Sequence, residues 1–291
     1  MTTVLWVNGQ LVDPNEPAVS GLDRGLLLGY GVFETLAVEN GVPFALTRHL
    51  RRLESSARKI NLKLPALEDI RAGLDAALGE WNTAAGPQTR GRLRLTITGG
   101  VSPLGTSADP TRPTVLIAIA PAGPVRKLGS KTGARALLSP WSVNPHSALA
   151  GAKTLSYAAH AVLQQYAREN NVDELISATV DGHLCEGATS NVFVESGGEL
   201  LTPPLEAGCL PGITRELILQ WGAESGLPVR AAQPGELPIS ILDDAPHLAI
   251  TGSVRGIMPL TQIGSRELEP GPLTEEVAAI FQQKSALEVD P

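Results

Sequence analysis

ELISATVDGHLCEGATSNVFVES, residues 174–196, has the pattern of two strands joined by a turn. Its ends, ELISATV and NVFVES, are rich in β-branched residues, and the Asp181-Gly182 pair between them is typical of a tight turn. Helical periodicity precedes this stretch over residues 154–171 and follows it in GITRELILQWGAESG, residues 212–226. Strands and helices therefore alternate, and the sequence predicts a mixed fold of the α+β or α/β class.

The first half of the chain has the same mixed pattern. Strands joined by Asn-Gly turns are predicted in residues 5–12 and 32–46. Apolar residues at helical spacing predict a helix over 46–60, with Thr47 as its N-cap, and a second helix over 65–81. Two further strands are predicted, GRLRLTITGG (91–100) and PTVLIAIAP (113–121).

Two domains are expected, because a single core rarely serves a chain of 291 residues. Residues 121–130, PAGPVRKLGS, contain two prolines and two glycines without periodicity, which is typical of a linker. We therefore predict an N-terminal α+β domain over 1–120 and a C-terminal α/β domain over 131–291, with a binding cleft between them.

Composition excludes several classes of protein. The net charge of −7 is unsuited to a nucleic-acid partner, whose phosphates require a basic surface. The start, MTTVLWVNGQ, lacks the basic region of a signal peptide, and no apolar run approaches the roughly 18 residues of a membrane helix. Cys185 and Cys209 are too few for a disulfide framework, and the five histidines form no zinc motif. We expect a cytoplasmic protein with no metal and no membrane partner.

Lys153 is the first candidate for chemistry. It lies in GAKTLSY, residues 151–157, without a charged neighbour, and it is one of six lysines in the chain. A desolvated amine has a lowered pKa and suits Schiff-base chemistry. The alternative is an ordinary solvated lysine, as most lysines are.

Glu186 is the second candidate. It lies among the small residues of DGHLCEGATSNVF, residues 181–193. A carboxylate in such a setting can pair with a pyridinium nitrogen and keep a cofactor protonated. A structural ion pair or helix cap is the alternative.

Three further features are suited to a phosphate group. LPGITRELI places Ile213 and Thr214 at a helix N-terminus, where N–H groups and the helix dipole favour anions. In ITGSVRG a predicted strand ends at a turn that contains Ser253. Arg52, in RHLRRL, offers a guanidinium for bidentate contact, although most such arginines are plain surface charge.

Together these motifs resemble the class IV, or fold-type IV, enzymes that use pyridoxal 5′-phosphate (PLP). The resemblance runs from VNG (7–9) and DRGLLLGYGVFET through EGATSNVF and LPGITR to SVRGIMPL, which is nearly the whole chain. It implies PLP bound in a cleft between two mixed domains, the second a pseudo-barrel, and it implies a homodimer. Lys153 matches the family's Schiff-base lysine, and Glu186 matches the carboxylate on the pyridine nitrogen. The implied phosphate and ring contacts are Arg52, Ile213, Thr214, Ser253 and Tyr157.

Within the family, GVFETL, KTLSYA and SVRGIMPL are most similar to 4-amino-4-deoxychorismate lyases, which release pyruvate and form 4-aminobenzoate for folate biosynthesis. Branched-chain aminotransferases usually have tyrosine where Leu28 stands and glycine where Thr35 stands. D-amino-acid aminotransferases usually carry a basic carboxylate-binding motif that has no counterpart in the first domain here. We expect a lyase, with either kind of aminotransferase as the alternative.

Two residues are expected on the substrate side. Tyr30 replaces the aspartate that is common in lyases, and Arg255 follows the predicted phosphate turn. We expect Arg255 to hold a substrate carboxylate. An arginine that caps the strand end or pairs across a dimer interface is the alternative.

Other functions fit the sequence less well. GLLLGYG, residues 25–31, lacks the G-x-G-x-x-G spacing of a nucleotide site, and no G-x-S-x-G nucleophile elbow is present. A member of the fold without catalytic activity would not need both Lys153 and Glu186.

Overall fold

A computed structural model of the chain describes residues 2–105, 112–123 and 133–291. These residues form two compact units. The first contains the described residues of Met1–Pro124 together with Ala152–Tyr157 and Val289–Pro291. The second contains the described residues of Val125–Gly151 together with Ala158–Glu288. Both units combine helices with strands, which confirms the predicted mixed fold class.

Two short segments belong to the first unit although the predicted domain bounds placed them in the second. Thr154 pairs with Val32, and Asp290 binds the start of a helix near Thr47. Long-range contacts, rather than position along the chain, therefore decide where the segments belong. The predicted linker, residues 121–130, lies mostly outside the described residues, and the domain boundary there stays a prediction.

The first unit is built on one antiparallel sheet. Its strands are β1 (Val4–Val7), β2 (Gln10–Val12), β3 (Gly31–Glu39), β4 (Val42–Pro43), β5 (Gly91–Thr98) and β6 (Val115–Pro121). Its helices are α1 (Arg24–Leu28), α2 (Leu46–Lys59) and α3 (Leu67–Ala84). Among the described residues, the six strands lie in the order β2-β1-β6-β5-β3-β4. The short helix α1 was not predicted.

Both predicted hairpins of this unit are present. Asn8 and Gly9 have φ of 46° and 99°, and Asn40 and Gly41 have φ of 49° and 79°. All four residues occupy the left-handed region, which tight hairpin turns require and which asparagine and glycine tolerate best. The Asn-Gly pairs therefore fix both turns locally.

The two faces of β3 differ in character. One face is apolar apart from Glu34, packs against α2 and belongs to the same apolar core as the buried face of α3. The other carries Phe33 and Thr35, because side chains alternate along a strand. Their cross-strand neighbours on β5 are Thr96 and Arg94. These four residues form a surface that we call the Arg94 face.

The predicted N-cap of α2 was wrong. Thr47 lies inside the helix, and the N-cap position is Ala45, which has a left-handed φ of 55° and no side-chain cap of its own. The carboxylate of Asp290 accepts hydrogen bonds from the Thr47 N–H at 2.8 Å and from its hydroxyl at 2.6 Å. A residue 243 positions away therefore supplies the cap.

The second unit contains a larger, mixed sheet. Its strands are β7 (Ala134–Leu138), β8 (Glu174–Ala178), β9 (Leu184–Gly187), β10 (Asn191–Ser196), β11 (Glu199–Thr202), β12 (Val229–Ala231), β13 (His247–Gly252), β14 (Gly256–Ile263) and β15 (Arg266–Glu267). Its helices are α4 (Ala158–Glu169), α5 (Ile213–Glu224), α6 (Ile241–Asp244) and α7 (Pro272–Leu287).

Six of these strands close into a ring, because β9 pairs with both β8 and β10. The order around the ring is β10-β13-β14-β7-β8-β9. The contact that closes it joins Glu186 to Asn191. Glu186 therefore lies at the seam of the ring.

The helix predicted over 154–171 begins only at Ala158. Leu155 instead donates its N–H to the Gly31 carbonyl of β3 at 2.9 Å. Residues before Ala158 therefore hydrogen-bond to the free edge of β3 and do not join the helix. In the described part of the chain, no helix is both long and apolar enough to cross a bilayer.

Candidate active site

The backbone of Lys153 is bound to the edge of β3. The Phe33 N–H donates to the Lys153 carbonyl at 3.0 Å, and the bridge between Val32 and Thr154 lies next to it. Lys153 is outside any helix or strand, so these contacts define where its side chain starts.

The amine of Lys153 lies against aromatic rings. Its Nζ is 4.4 Å from the centre of the Phe33 ring and 5.7 Å from that of Tyr157. The two rings meet edge to face with centroids 5.1 Å apart. The site thus combines a half-buried lysine with aromatic walls, and Tyr157 provides one of them. Its contact with the cofactor stays a prediction.

Arg94 is a candidate that the sequence reasoning missed. Its guanidinium carbon lies 3.7 Å from the centre of the Phe33 ring, so Arg94 and Lys153 share one aromatic neighbour. Arg94 is half-buried, its Nε donates to the Thr96 hydroxyl at 3.3 Å, and Thr35 is its cross-strand partner. Burial lowers the pKa of Arg94, but an arginine remains charged. The Arg94 face therefore presents a cation and hydroxyl groups close to Lys153.

Arg52 is buried and paired. Its Nε and Nη2 donate to the two carboxylate oxygens of Glu34 at 2.8 and 2.6 Å, and His49 Nδ1 lies 2.6 Å from the same carboxylate. This fork-to-fork geometry fixes the plane of the guanidinium. The ion pair is itself a sufficient structural reason for an arginine here, and the phosphate contact of Arg52 stays a prediction.

The charges in this buried cluster are set by its geometry. Burial alone would raise the pKa of Glu34, but the charge and hydrogen bonds of Arg52, with help from His49, hold it well below its ordinary value. Burial lowers the pKa of His49, with the positive charges of Arg52 and Lys153 acting in the same direction against Glu34. The cluster is thus an ionised Glu34–Arg52 pair with a neutral histidine.

Tyr30 has structural contacts. Its hydroxyl lies 3.1 Å from the carbonyl oxygens of both Ile60 and Asn61, at the end of α2. Its ring stacks on Arg24, whose guanidinium carbon is 4.6 Å from the ring centre. These contacts favour a role in fixing the entry to β3, and the expected substrate contact stays a prediction.

Glu186 is held by a backbone amide in the second unit. Its Oε2 accepts the Leu210 N–H at 2.9 Å, and its strand neighbours are Ser177 and Asn191. Glu186 is half-buried, as a group that binds a ligand atom needs to be. The carboxylate is oriented by the same LPG turn that begins α5.

Asn191 connects this carboxylate to the N-terminus of α5. Its Nδ2 donates to the Leu210 carbonyl at 2.8 Å. Its Oδ1 lies so near Gly212, the N-cap of α5, that a Cβ added to Gly212 would come within 1.9 Å of it. Ile213 and Thr214, both buried, follow in the first turn as predicted. Their amides are at the end of the helix where N–H groups lack intrahelical acceptors.

Cys185 and Cys209 flank the same carboxylate as neutral thiols. Burial raises the pKa of Cys185 above the usual range and that of Cys209 to about 12, and the charge of Glu186 adds to both shifts. Both thiols point to backbone carbonyls. Neither cysteine is suited to act as a nucleophile.

Arg255 is bound within its own unit. Its Nη1 donates to Glu174 at 3.0 Å, and the Ser190 hydroxyl donates to the same oxygen at 2.9 Å. Glu174 is 2% exposed, so it needs such partners. The pair favours a structural role for Arg255, and its substrate contact stays a prediction. Ser253 lies in the same half-buried turn between β13 and β14.

The predicted residues thus separate by unit. Lys153, Tyr157, Arg52 and Tyr30 belong to the first, whereas Glu186, Ile213, Thr214, Ser253 and Arg255 belong to the second. Within the described ranges, no three His, Cys, Asp or Glu side chains are grouped so that they could hold a metal ion.

Comparison with known proteins points to one family. The model of the family described as amino-transferase class IV matches residues 31–263. An aminodeoxychorismate lyase of Bacillus subtilis is 30% identical over 96% of this chain and 92% of its own. A branched-chain aminotransferase of Thermoproteus uzoniensis, solved with norvaline, has a TM-score of 0.84 at 29% identity and covers 96% of this chain and 93% of its own. A hypothetical aminotransferase of Mycobacterium tuberculosis, solved in a PLP-bound form, has a TM-score of 0.84 at 26% identity over 100% of both chains.

Proposed function

The chain belongs to the class IV aminotransferase family, and on that premise we propose that it is a PLP-dependent 4-amino-4-deoxychorismate lyase. The family establishes the cofactor, PLP, and the broad type of enzyme. At about 30% identity, relatives with lyase and aminotransferase activities are equally near, so the reaction itself is our proposal.

The donor set of the chain fits PLP. The half-buried amine of Lys153 suits the cofactor aldehyde, and the half-buried carboxylate of Glu186 suits the pyridine nitrogen. Arg52 and the first turn of α5, with Ile213 and Thr214, suit the phosphate. Ser253 adds a hydroxyl. When bound, PLP supplies an electron sink for the substrate carbon that carries the amine.

The remaining work falls to side chains of the protein. Lys153 would first bind the cofactor covalently and then, once the substrate amine has displaced it, remove the proton from the carbon that bears that amine. Glu186 would keep a proton on the pyridine nitrogen. In the lyase reaction the bond between the ring carbon and the ether oxygen would then break, the released enolpyruvate would take up a proton to become pyruvate, and the ring would become aromatic.

The pairing of Thr35 with Arg94 is the observation that favours a lyase over an aminotransferase. The two residues lie side by side on the Arg94 face, which also supports the Lys153 amine through Phe33. Aminodeoxychorismate has two carboxylates, and a guanidinium is a strong partner for one of them. Branched-chain aminotransferases usually have glycine at the position of Thr35, which would remove the hydroxyl directly across from Arg94 and leave only that of Thr96 on this face.

An aminotransferase is the second candidate. It would share proton removal by Lys153 and differ in returning the proton to the cofactor carbon. The solved branched-chain aminotransferase supports this candidate, since its TM-score of 0.84 is that of a close fold relative. The folate-related role, cytoplasmic location and homodimer remain parts of the proposal.

A side-by-side assay separates the two candidates. The purified protein with PLP is offered aminodeoxychorismate, leucine and D-alanine, and pyruvate, 4-aminobenzoate and keto acids are measured. We expect 4-aminobenzoate and pyruvate in equal amounts from aminodeoxychorismate. Transamination of leucine or D-alanine with no 4-aminobenzoate would contradict the lyase proposal. Borohydride reduction and peptide mapping should place the pyridoxyl group on Lys153.

Two variants test whether the Thr35–Arg94 pair binds the substrate. Thr35→Gly and Arg94→Ala should both lower lyase kcat/KM, with Arg94→Ala acting mainly by raising KM. Arg92→Ala is the matched control, because Arg92 is exposed on the same strand two residues away. Equal lyase kinetics in Arg94→Ala and Arg92→Ala would remove Arg94 from the substrate site.

A further inference from the structure

We infer that Ser56 is a positioning residue for Lys153, holding the backbone from which the cofactor-binding amine extends. The inference rests on the proposed function, because it gives Ser56 a role in the chemistry of Lys153. The Lys153 N–H donates to the Ser56 hydroxyl oxygen at 3.0 Å. Ser56 is 3% exposed, so water has little access to this bond.

The bond occurs where Lys153 leaves the sheet. Lys153 accepts a hydrogen bond from the Phe33 N–H, and Leu155 donates to Gly31. A ladder continued in the antiparallel pattern would next join the Lys153 N–H to the Phe33 carbonyl. The hydroxyl of Ser56 receives that N–H instead. The chain thus turns away from β3 at Lys153 with both of its backbone polar groups bound.

Ser56 belongs to a buried polar stripe of α2. His49, Arg52 and Ser56 lie three and four residues apart, so they share one side of the helix. All three are buried, whereas the adjacent Ser55 is exposed. A buried serine needs a hydrogen-bond partner, and Lys153 provides it. The helix that carries the Arg52–Glu34 ion pair therefore also anchors Lys153.

Anchoring matters because Lys153 has a long and flexible side chain. The position of the amine depends on where the Cα is held, and Lys153 itself lies outside any helix or strand. Displacement of a reacting group by about 1 Å can reduce turnover by about 10²-fold. Loss of the Ser56 contact leaves the Lys153 N–H buried without its acceptor. The backbone then shifts or admits water, and the amine is misplaced.

Two measurements on the full-length protein test the inference. Hydrogen exchange of the Lys153 amide is followed in the wild type, Ser56→Ala, Ser56→Thr and Ser55→Ala. With PLP bound, the pH titration of the visible absorption band and the values of kcat and KM are compared for the same proteins. The titration reports the environment of the linked amine, which a loss of global stability would not move.

We expect Ser56→Ala to increase amide exchange at Lys153, shift the titration and lower kcat about 10- to 100-fold with little change in KM. Ser56→Thr, which keeps the hydroxyl, should restore most of the turnover, and Ser55→Ala should match the wild type. Unchanged amide exchange and titration in Ser56→Ala overturn the inference even if stability falls. If the wild type binds PLP but Ser56→Ala has the same amide exchange, titration and kinetics as Ser55→Ala, the role of Ser56 is refuted and the proposed function is not. A wild type that takes up no PLP overturns the proposed function as well.

Discussion

Helices α2 and α5 both carry residues expected to bind a cofactor phosphate, but the chain stabilises them differently. The N-terminus of α2 is capped by Asp290, and on its buried side Arg52 forms an ion pair with Glu34 of β3, to which the neutral His49 is also hydrogen-bonded. The N-terminus of α5 is held by Asn191 and by close packing at Gly212. One helix depends on distant and charged partners, whereas the other depends on neutral contacts close to its first turn.

Comparing the two helices separates the contribution of charge to stability from the contribution of packing. A buried ion pair is costly to break, because removing one partner leaves an uncompensated charge. A packed neutral contact fails through overlap or a lost hydrogen bond, and the cost is smaller. The helices should therefore respond differently to substitution and to pH.

Breaking the ion pair under α2 should have the largest effect. Glu34→Leu leaves Arg52 buried without its counter-ion and should lower the free energy of unfolding by about 3–5 kcal/mol. Hydrogen exchange is the suitable measurement, because it reports α2 and α5 separately. The double variant Glu34→Leu with Arg52→Met should recover much of the loss. A loss below about 1 kcal/mol in the single variant would show that the pair is not a determinant of stability.

Crowding the start of α5 should have a smaller effect. Gly212→Ala places a Cβ 1.9 Å from Asn191 Oδ1, so Asn191 must move and weaken its bond to Leu210. We expect a loss of about 1–3 kcal/mol, confined to exchange in the second unit, and weaker PLP binding. Gly21→Ala is the control, since a Cβ there meets nothing within 4 Å. Equal exchange and equal PLP binding in the two variants would show that close packing at Gly212 does not stabilise the start of α5.

Acid should weaken α2 more than α5. The pKa of His49 is lowered from its ordinary value of 6.5, so between that value and its native pKa the unfolded chain binds the extra proton. Stability should therefore fall as the pH drops below 6.5, by at most about 1.4 kcal/mol per pH unit. His49→Asn should remove this slope while keeping a donor toward Glu34, and the exposed His146 offers the control substitution His146→Asn. An unchanged slope in His49→Asn would assign the acid sensitivity to other groups.

Removing the distant cap should have the smallest effect. Asp290→Ala takes away the acceptor for the N–H and hydroxyl of Thr47 and should cost about 1 kcal/mol. Asp290→Asn should cost less, because an amide oxygen still caps a helix. Increased exchange in the first turn of α2 is the measurement. Equal exchange in Asp290→Ala and wild type would show that water replaces the cap.

The sequence was sufficient for features that depend on near neighbours. Asn8-Gly9 and Asn40-Gly41 determine their turns locally, and the first turn of α5 follows from LPGITR. The cap of α2 and the start of α4 were predicted wrongly, because each is decided by a partner far along the chain.

The candidate site shows the same limit. Lys153 and Glu186 could be proposed from their unusual local surroundings and from the family resemblance. Arg94 could not, because GRLRLTITGG does not show which face of its strand lies beside Lys153. Ser56 was missed for the same reason, since its neighbour Ser55 looks identical in sequence but is exposed. The one available signal was that Arg92 and Arg94 alternate with leucines, which places both arginines on the same face of the strand.

The discontinuous first unit has a consequence for biosynthesis. The strands of the first sheet end with β6, so the six-stranded sheet of the described chain can form on the ribosome before Lys153 has emerged. The edge of β3 must stay open during that interval, and Asp290 arrives only after the whole second unit has been made. The nascent first unit can therefore form its core early, but it gains its cofactor-binding amine later and its helix cap last.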